Sequence, residues 1–231
     1  MLRGAASRRR LGKSLKLKVG KAESRLYVSK GQKIGVFAGS FDPIHEGHLQ
    51  AATQAQQVLS LGVVYFVVEP RPRHKQGVKA FEHRSAMVRQ AIADIGAFKQ
   101  IYIDEPYCTV EHTIPMLTER FPAAQLYLIM GDDVAKRLAQ WAQLEDMLQS
   151  VELAVVKRRY AEDEMVRQLE RLSVLIGQSA RFHFIHQGAS AASSTAIKKA
   201  IKDGVEPVGV PPSVLQYAKR HNLYGSSGLG S

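Results

Sequence analysis

Two histidines, His45 and His48, stand three residues apart beside Gly47 in the stretch Gly39-Ser40-Phe41-Asp42-Pro43-Ile44-His45-Glu46-Gly47-His48. On a helix that spacing puts both imidazoles on one face with their β-carbons about 5–6 Å apart, so two ring donors can address one phosphate. Gly47 removes a side chain where a ligand would approach the backbone. A protease-type zinc site needs His-Glu-x-x-His, an i, i+4 pair, whereas the pair here is i, i+3. Spacing alone leaves a solvated or capping role open for the two rings. The residues before them say what holds them. Ile34, Val36 and Phe37 form a β-rich run, Gly39 interrupts it, and Pro43 biases Asp42 away from the α region. Strand, glycine turn and helix follow in that order, the helix beginning near Ile44 to Glu46. A helix start offers unpaired N–H groups and a partial positive charge, which suit a phosphate.

The remaining chain alternates as a parallel α/β sheet would. Strand candidates are Ile34 to Ala38, Val63 to Val68, Ile101 to Ile103, Leu126 to Met130, Val151 to Val156 and Phe182 to Ile185, with helical patterns between most of them. Residues 157–181 are charged and weakly patterned and read as a peripheral helix. The Gly-x-Gly-x-x-Gly fingerprint of dinucleotide binding is absent, so the expected fold is α/β, a Rossmann-like doubly wound parallel sheet without a resident NAD. Ligands of such sheets sit beyond the carboxyl ends of the strands. The loops after Ala38, Val68, Ile103 and Met130 are therefore where chemistry should gather.

The loop after Val68, Glu69-Pro70-Arg71-Pro72-Arg73-His74-Lys75-Gln76-Gly77, is stiffened by two prolines and carries three cations besides His74. Arg84 follows on a helix whose apolar side is Phe81, Met87 and Val88, placed to reach a phosphate or to pair on the surface. Gly131-Asp132-Asp133 follows another apolar strand, and a carboxylate there can accept both hydroxyls of a ribose or cap the next helix. Trp141, the one tryptophan, suits either core or a stacked base. Ser193, Ser194 and Thr195 open an amphipathic segment that closes at Gly204, a capped helix by pattern.

These segments resemble the nucleotidylyltransferase superfamily, whose signature G-[ST]-F-D-P-x-H-x-G-H is matched by residues 39–48, and within it the bacterial nicotinate-nucleotide adenylyltransferases. The resemblance runs through Arg73-His74-Lys75, His83 to Met87, Ile129 to Asp133, Trp141, Ser193 to Lys198 and His221 to Tyr224, about residues 33–224. It implies catalytic roles for His45, His48 and Lys75. It also implies ATP contacts from Gly39, Ser40, Phe41, His45, His48, Gly131, Asp133, Ser194, Thr195 and Lys198, and acceptor contacts from Lys75, Thr109, Thr113 and Trp141. No protein metal ligands are implied; Mg²⁺ is the expected cofactor, bridging phosphate oxygens. The chain departs from the family at Arg73, where a proline is usual, at Lys198 in place of an arginine, at Ala192 in place of an isoleucine, and around Thr109 to Thr113, where an aspartate is missing.

The expected activity is transfer of AMP from ATP to a pyridine mononucleotide, with nicotinate mononucleotide the expected acceptor, in NAD biosynthesis. The alternatives are another phosphate acceptor such as phosphopantetheine, with ATP or CTP as donor, and a non-catalytic nucleotide or RNA binder. A chain of 231 residues with 45% hydrophobic content can bury one full core. A single cysteine, Cys108, allows no internal disulfide, suiting a reducing, cytoplasmic setting. No apolar run approaches a bilayer span. Oligomeric state is left open, a homo-oligomer included.

The net charge of +11 is local. Residues 1–32 hold ten Lys or Arg against one acid, Glu23, a net +9, and the rest holds 22 against 20. The expected organisation is a flexible basic arm over 1–32, the catalytic domain over 33–224 and a flexible tail over 225–231. The arm reads as a polyanion contact, a transit segment or a solvated extension. Deleting residues 1–30 is expected to leave turnover at moderate salt unchanged while abolishing salt-sensitive retention on heparin, both measured on the same truncated protein.

Overall fold

The structure, a computed structural model, describes residues 31–225 other than 74, 159, 178–179 and 189–191. The expectations for the arm over residues 1–30, for the tail over 226–231 and for His74 lie outside the described residues.

Val63–Val68, the second strand, is buried along all six residues, as a β-branched run covered on both faces of a sheet must be. It is β2 of six parallel strands: β1 (Lys33–Gly39), β2, β3 (Phe98–Ile101), β4 (Gln125–Gly131), β5 (Val151–Lys157) and β6 (Phe182–His186). Their order across the sheet is β3-β2-β1-β4-β5-β6, every pair parallel, which is the doubly wound arrangement. The strand alternation sorts the apolar residues into two layers. Phe37, Val64, Phe66 and Ile129 face α1 (Glu46–Leu59), α2 (Phe81–Ile92), α7 (Ser194–Lys202) and α8 (Pro212–Arg220). Ile34, Val36, Tyr65 and Leu128 face α3 (Val110–Arg120), α5 (Leu144–Ser150) and α6 (Glu162–Leu175). A short α4 (Asp132–Ala135) and a 3₁₀ turn (Leu138–Gln140) fill the path from β4 to α5. The segment read as a peripheral helix is α6, and its Met165, Leu169 and Leu172 are core residues. No helix among the described residues is long and apolar enough to cross a membrane.

The third strand lies upstream of its expected place at Ile101 to Ile103. Phe98 is the buried residue that fills the α2 side, and pairing of Val64 with Phe98 and Val67 with Ile101 sets the register. Lys99 and Gln100 between them sit at the edge of the sheet, where polar residues are tolerated but hide the strand from a periodicity reading.

Arg84 is 1% exposed and reaches neither a phosphate site nor the surface. Its guanidinium donates to four carbonyls: Lys79 O at 2.7 Å, Ser40 O at 2.8 Å, Glu69 O at 2.7 Å and Pro70 O at 2.7 Å. The loops after β1 and β2 are thereby tied to the entry of α2. Burial pulls the guanidinium below its ordinary range, with Asp42 and Glu69 opposing the shift. A buried charge persists only when its donors are satisfied in this way. Arg84→Met keeps the aliphatic stem and strands the four carbonyls; it is expected to cost about 2–4 kcal/mol and about 10 °C in melting temperature, checked by calorimetry.

Candidate active site

Between β1 and β4 the strand order reverses, and the loops leaving their carboxyl ends open a crevice. Ser40 to His45 form one wall. Phe41 takes a left-handed backbone, φ 45°, which costs a non-glycine residue about 1–3 kcal/mol and is held by packing. Its ring is buried, edge-on to Phe37 at 5.6 Å and to His48 at 5.1 Å. A β-carbon at Gly39 would stand 3.1 Å from that ring. The ring lies beneath His48 as a support, and Gly39 makes room for it.

His45 is not a helical residue. It is the N-cap of α1, in an extended conformation, and His48 is the third residue of the helix. The two rings pack 3.8 Å apart, tilted by 31°. The His45 backbone N–H donates to His48 Nδ1 at 3.3 Å, so a neutral His48 carries its proton on Nε2. His45 Nδ1 is buried without a hydrogen-bond partner among the described residues. Burial takes His45 down to about 4, with the charges of Arg158 and Lys75 adding to it. Burial also drives His48 well below the usual histidine range, followed by His45, Arg158 and Lys75. Both imidazoles are therefore neutral at pH 7.

Cations surround this pair. Lys75 Nζ donates to Ser40 Oγ at 2.7 Å, closing 35 residues of chain onto the first loop. Its stem is exposed while its ammonium lies against the crevice, where burial and Lys198 draw its pKa down and Asp42 and Asp133 push it up. Lys198 Nζ lies 3.1 Å from Asp42 Oδ2. Asp42 is 2% exposed, and its Oδ1 accepts from Tyr224 Oη at 2.6 Å and from the Lys79 N–H at 3.3 Å. Burial and that bond to Asp42 raise the Tyr224 phenol. Asp133 folds back over Gly131, where a β-carbon would meet its Oδ1 at 2.5 Å and displace the carboxylate. Neither Asp132 nor Asp133 caps α4, whose N-cap is Gly131; Asp132 is buried and accepts from the N–H groups of Arg158 at 2.8 Å and Tyr160 at 3.0 Å. Among the described residues no cluster of three or more His, Cys, Asp or Glu could hold a metal ion.

The chain matches the cytidylyltransferase-like family over residues 36–200. It is 32% identical over 200 residues to a protein of Neisseria meningitidis serogroup C named "Probable nicotinate-nucleotide adenylyltransferase", covering 84% of this chain and 98% of that one. The chain belongs to this family, among the nicotinate-nucleotide adenylyltransferases. It is a nucleotidyltransferase. A Pseudomonas entomophila protein of the same name is 28% identical over 211 residues, covering 85% of this chain and 96% of that one. The fold is shared with the Plasmodium falciparum nicotinic acid mononucleotide adenylyltransferase complexed with NaAD, at TM-score 0.69 and 15% identity, over 84% of this chain and 97% of that one.

The family's expected residues are gathered unevenly in this member. Ser40, His45, His48, Lys75, Asp133 and Lys198 meet around the crevice. Ser194 Oγ donates to Pro43 O at 3.0 Å, so the hydroxyl expected on the triphosphate also ties α7 to the first loop. Ser193 caps α7, and Thr195 is exposed in its first turn. Thr109 caps α3, accepting from the His112 N–H. Thr113 is buried with its Oγ1 unpartnered among the described residues, and Trp141 packs against the α3 side of the core. Burial pushes the Cys108 thiol up to about 12, which removes it as a nucleophile. Arg158, at the end of β5, is the residue that pattern reading passed over: its Nε donates to Gln187 Oε1 at 3.2 Å, and Gln187 Nε2 donates to Gly47 O at 2.7 Å. The signal was a Lys-Arg pair at a strand's carboxyl end, obscured by the charged run that follows.

Because the folded His45 titrates near 4 and an unfolded histidine near 6.5, the unfolded chain binds the extra proton between those values. Stability should be fully present above pH 6.5 and fall as pH drops toward 4, by about 2–3 kcal/mol from this group. Melting curves from pH 7 to 4 should decline more steeply for the natural protein than for His45→Gln.

Proposed function

We propose that the protein transfers AMP from ATP to the phosphate of nicotinate mononucleotide, releasing pyrophosphate, as a step of NAD biosynthesis. The observation that carries this reading is the close-packed neutral histidine pair at the start of α1, with Lys75 and Lys198 fixed beside it by Ser40 and Asp42. An oxygen of the acceptor phosphate attacks the α-phosphorus in line. The new P–O bond forms as the bond to the oxygen bridging to the β-phosphate breaks, and the electron pair leaves on pyrophosphate. A phosphate monoester is already ionised at neutral pH, so no base or covalent intermediate is required, and positioning with charge stabilisation supplies the rate.

In this reading His48 donates from Nε2 to phosphate oxygen, with His45 packed behind it. Lys75 and Lys198 balance the charge growing on the leaving group. Gly131 and Asp133 receive the ribose, Ser194 and Thr195 face the triphosphate, and Thr109, Thr113 and Trp141 border the acceptor. Mg²⁺ enters as part of Mg·ATP, since the Asp42 carboxylate is already committed to Tyr224, Lys79 and Lys198.

His48→Ala should melt within a few degrees of the natural protein and lower turnover by about 10²-fold, the size of one lost electrostatic stabiliser. Pyrophosphate release is the measurement, with ATP or CTP as donor and nicotinate mononucleotide, nicotinamide mononucleotide and phosphopantetheine as acceptors. Nicotinate mononucleotide with ATP should be preferred over its amide by at least about tenfold. Turnover of phosphopantetheine alone would assign a different acceptor, and no pyrophosphate from any pair would leave a nucleotide-binding protein.

A further inference from the structure

Two strands end together beside the histidine turn. Lys157, the last residue of β5, pairs in register with His186, the last residue of β6, so Arg158 and Gln187 leave the sheet side by side at its carboxyl end. Gln187 then joins three segments of chain. Its Oε1 accepts from Arg158 Nε at 3.2 Å, and its Nε2 donates to Gly47 O at 2.7 Å across 140 residues of sequence. An amide can do both because it carries an acceptor and a donor on one planar group; a carboxylate would face the Gly47 carbonyl with no proton to give, and an apolar chain would bind neither partner. Gly47 is buried in the first turn of α1, between the two histidines. Arg158 is exposed, and a long side chain in that position otherwise spreads its charge over many rotamers.

The charges that bear on the imidazoles come from separate elements. Lys75 reaches them from the loop after β2 and Arg158 from the end of β5, so the two cations approach from opposite sides of β1 and β4 in the strand order. After burial, Arg158 outweighs Lys75 at both rings, and at His48 the neighbouring His45 adds to them. On the α7 side Lys198 and Asp42 offset one another, and Glu46 in the first turn of α1 is exposed. We propose that Gln187 is a positioning residue: by bridging Arg158 to the Gly47 carbonyl it holds the guanidinium against the histidine turn, so that this cation and the two imidazoles act on one anionic ligand. Gln187 itself touches no reacting atom in this role. The consequence for turnover rests on the function proposed above, whereas the consequence for the imidazoles does not.

The test uses the full-length protein in two measurements. The first follows the histidine ring resonances by NMR from pH 7 to 4, with His48→Ala to separate the two signals. His45 should titrate near 4 in the natural protein and higher by about half a pH unit or more in Arg158→Met, which removes the cation. Gln187→Met, which keeps the cation but releases it, should give a smaller rise of the same sign. The double variant should match Arg158→Met alone, because the glutamine then has nothing left to position. The second measurement is pyrophosphate release from Mg·ATP and nicotinate mononucleotide. Here kcat/KM should fall about fivefold or more in each single variant and no further in the double. A His45 titration unmoved by Gln187→Met, or effects that add in the double variant, would overturn the inference. If His45 moves as expected while no form of the protein releases pyrophosphate, the positioning role stands and the proposed reaction falls. Gln187 is half-buried just past an edge strand, so its variants should melt within a few degrees of the natural protein, and Gln187→Ala should repeat the result without a thioether in the site.

Discussion

The guanidinium of Arg84 is the contact on which the crevice depends. A sheet of this kind delivers its loops to one end but does not fix their spacing, since each loop is anchored only at its own strand. One buried cation with four carbonyl partners removes that freedom for the first two loops. The carbonyls come from Ser40, Glu69, Pro70 and Lys79, so the residues flanking the histidine turn and the proline loop share a single hub. A neutral side chain could fill the volume but could not satisfy four acceptors, and a lysine has neither the donors nor the planarity.

Asp42 does for charge what Arg84 does for position. Its carboxylate is enclosed and holds one ammonium, one phenol and one backbone N–H. The crevice thus acquires Lys198 at a set place without exposing a negative group to an anionic substrate. Lys75 is likewise held through a hydroxyl, an uncharged acceptor that leaves its charge unspent. The histidines beside them stay neutral because burial, Arg158 and Lys75 oppose protonation. Hydrogen-bond donors with no net charge are then set among fixed charges, an arrangement suited to an anionic ligand.

Much of this was legible in residue order. Five of the six strands, the start of α1 and the capped α7 follow from apolar runs, glycines and hydroxyls whose meaning is local. The third strand was misplaced because edge polarity at Lys99 and Gln100 broke its run. What sequence could not carry was the destination of long side chains. Arg84 sits among the same neighbours whether it reaches phosphate, solvent or carbonyls, and only the closing of two distant loops upon it decides the matter. The same holds for Arg158, which is linked through Gln187 to the Gly47 carbonyl of the histidine turn rather than through any sequence neighbour. Ser194 was legible as a hydroxyl at a helix start, but its bond to Pro43 depends on how the last third of the domain packs against the first.

The partners of Asp42 have a bearing on how the protein is made. Lys198 and Tyr224 lie 156 and 182 residues downstream. A chain emerging from the ribosome amino end first presents the histidine turn early, with its central carboxylate still lacking two of its three partners. The strands β1 to β4 can pair before those partners exist, but the crevice they frame stays uncompensated until the helices α7 and α8 have been synthesised and docked. Assembly of the sheet and completion of the nucleotide site are thus separate events in the life of each molecule, and an interrupted chain carries the signature turn without the charge balance that makes it usable.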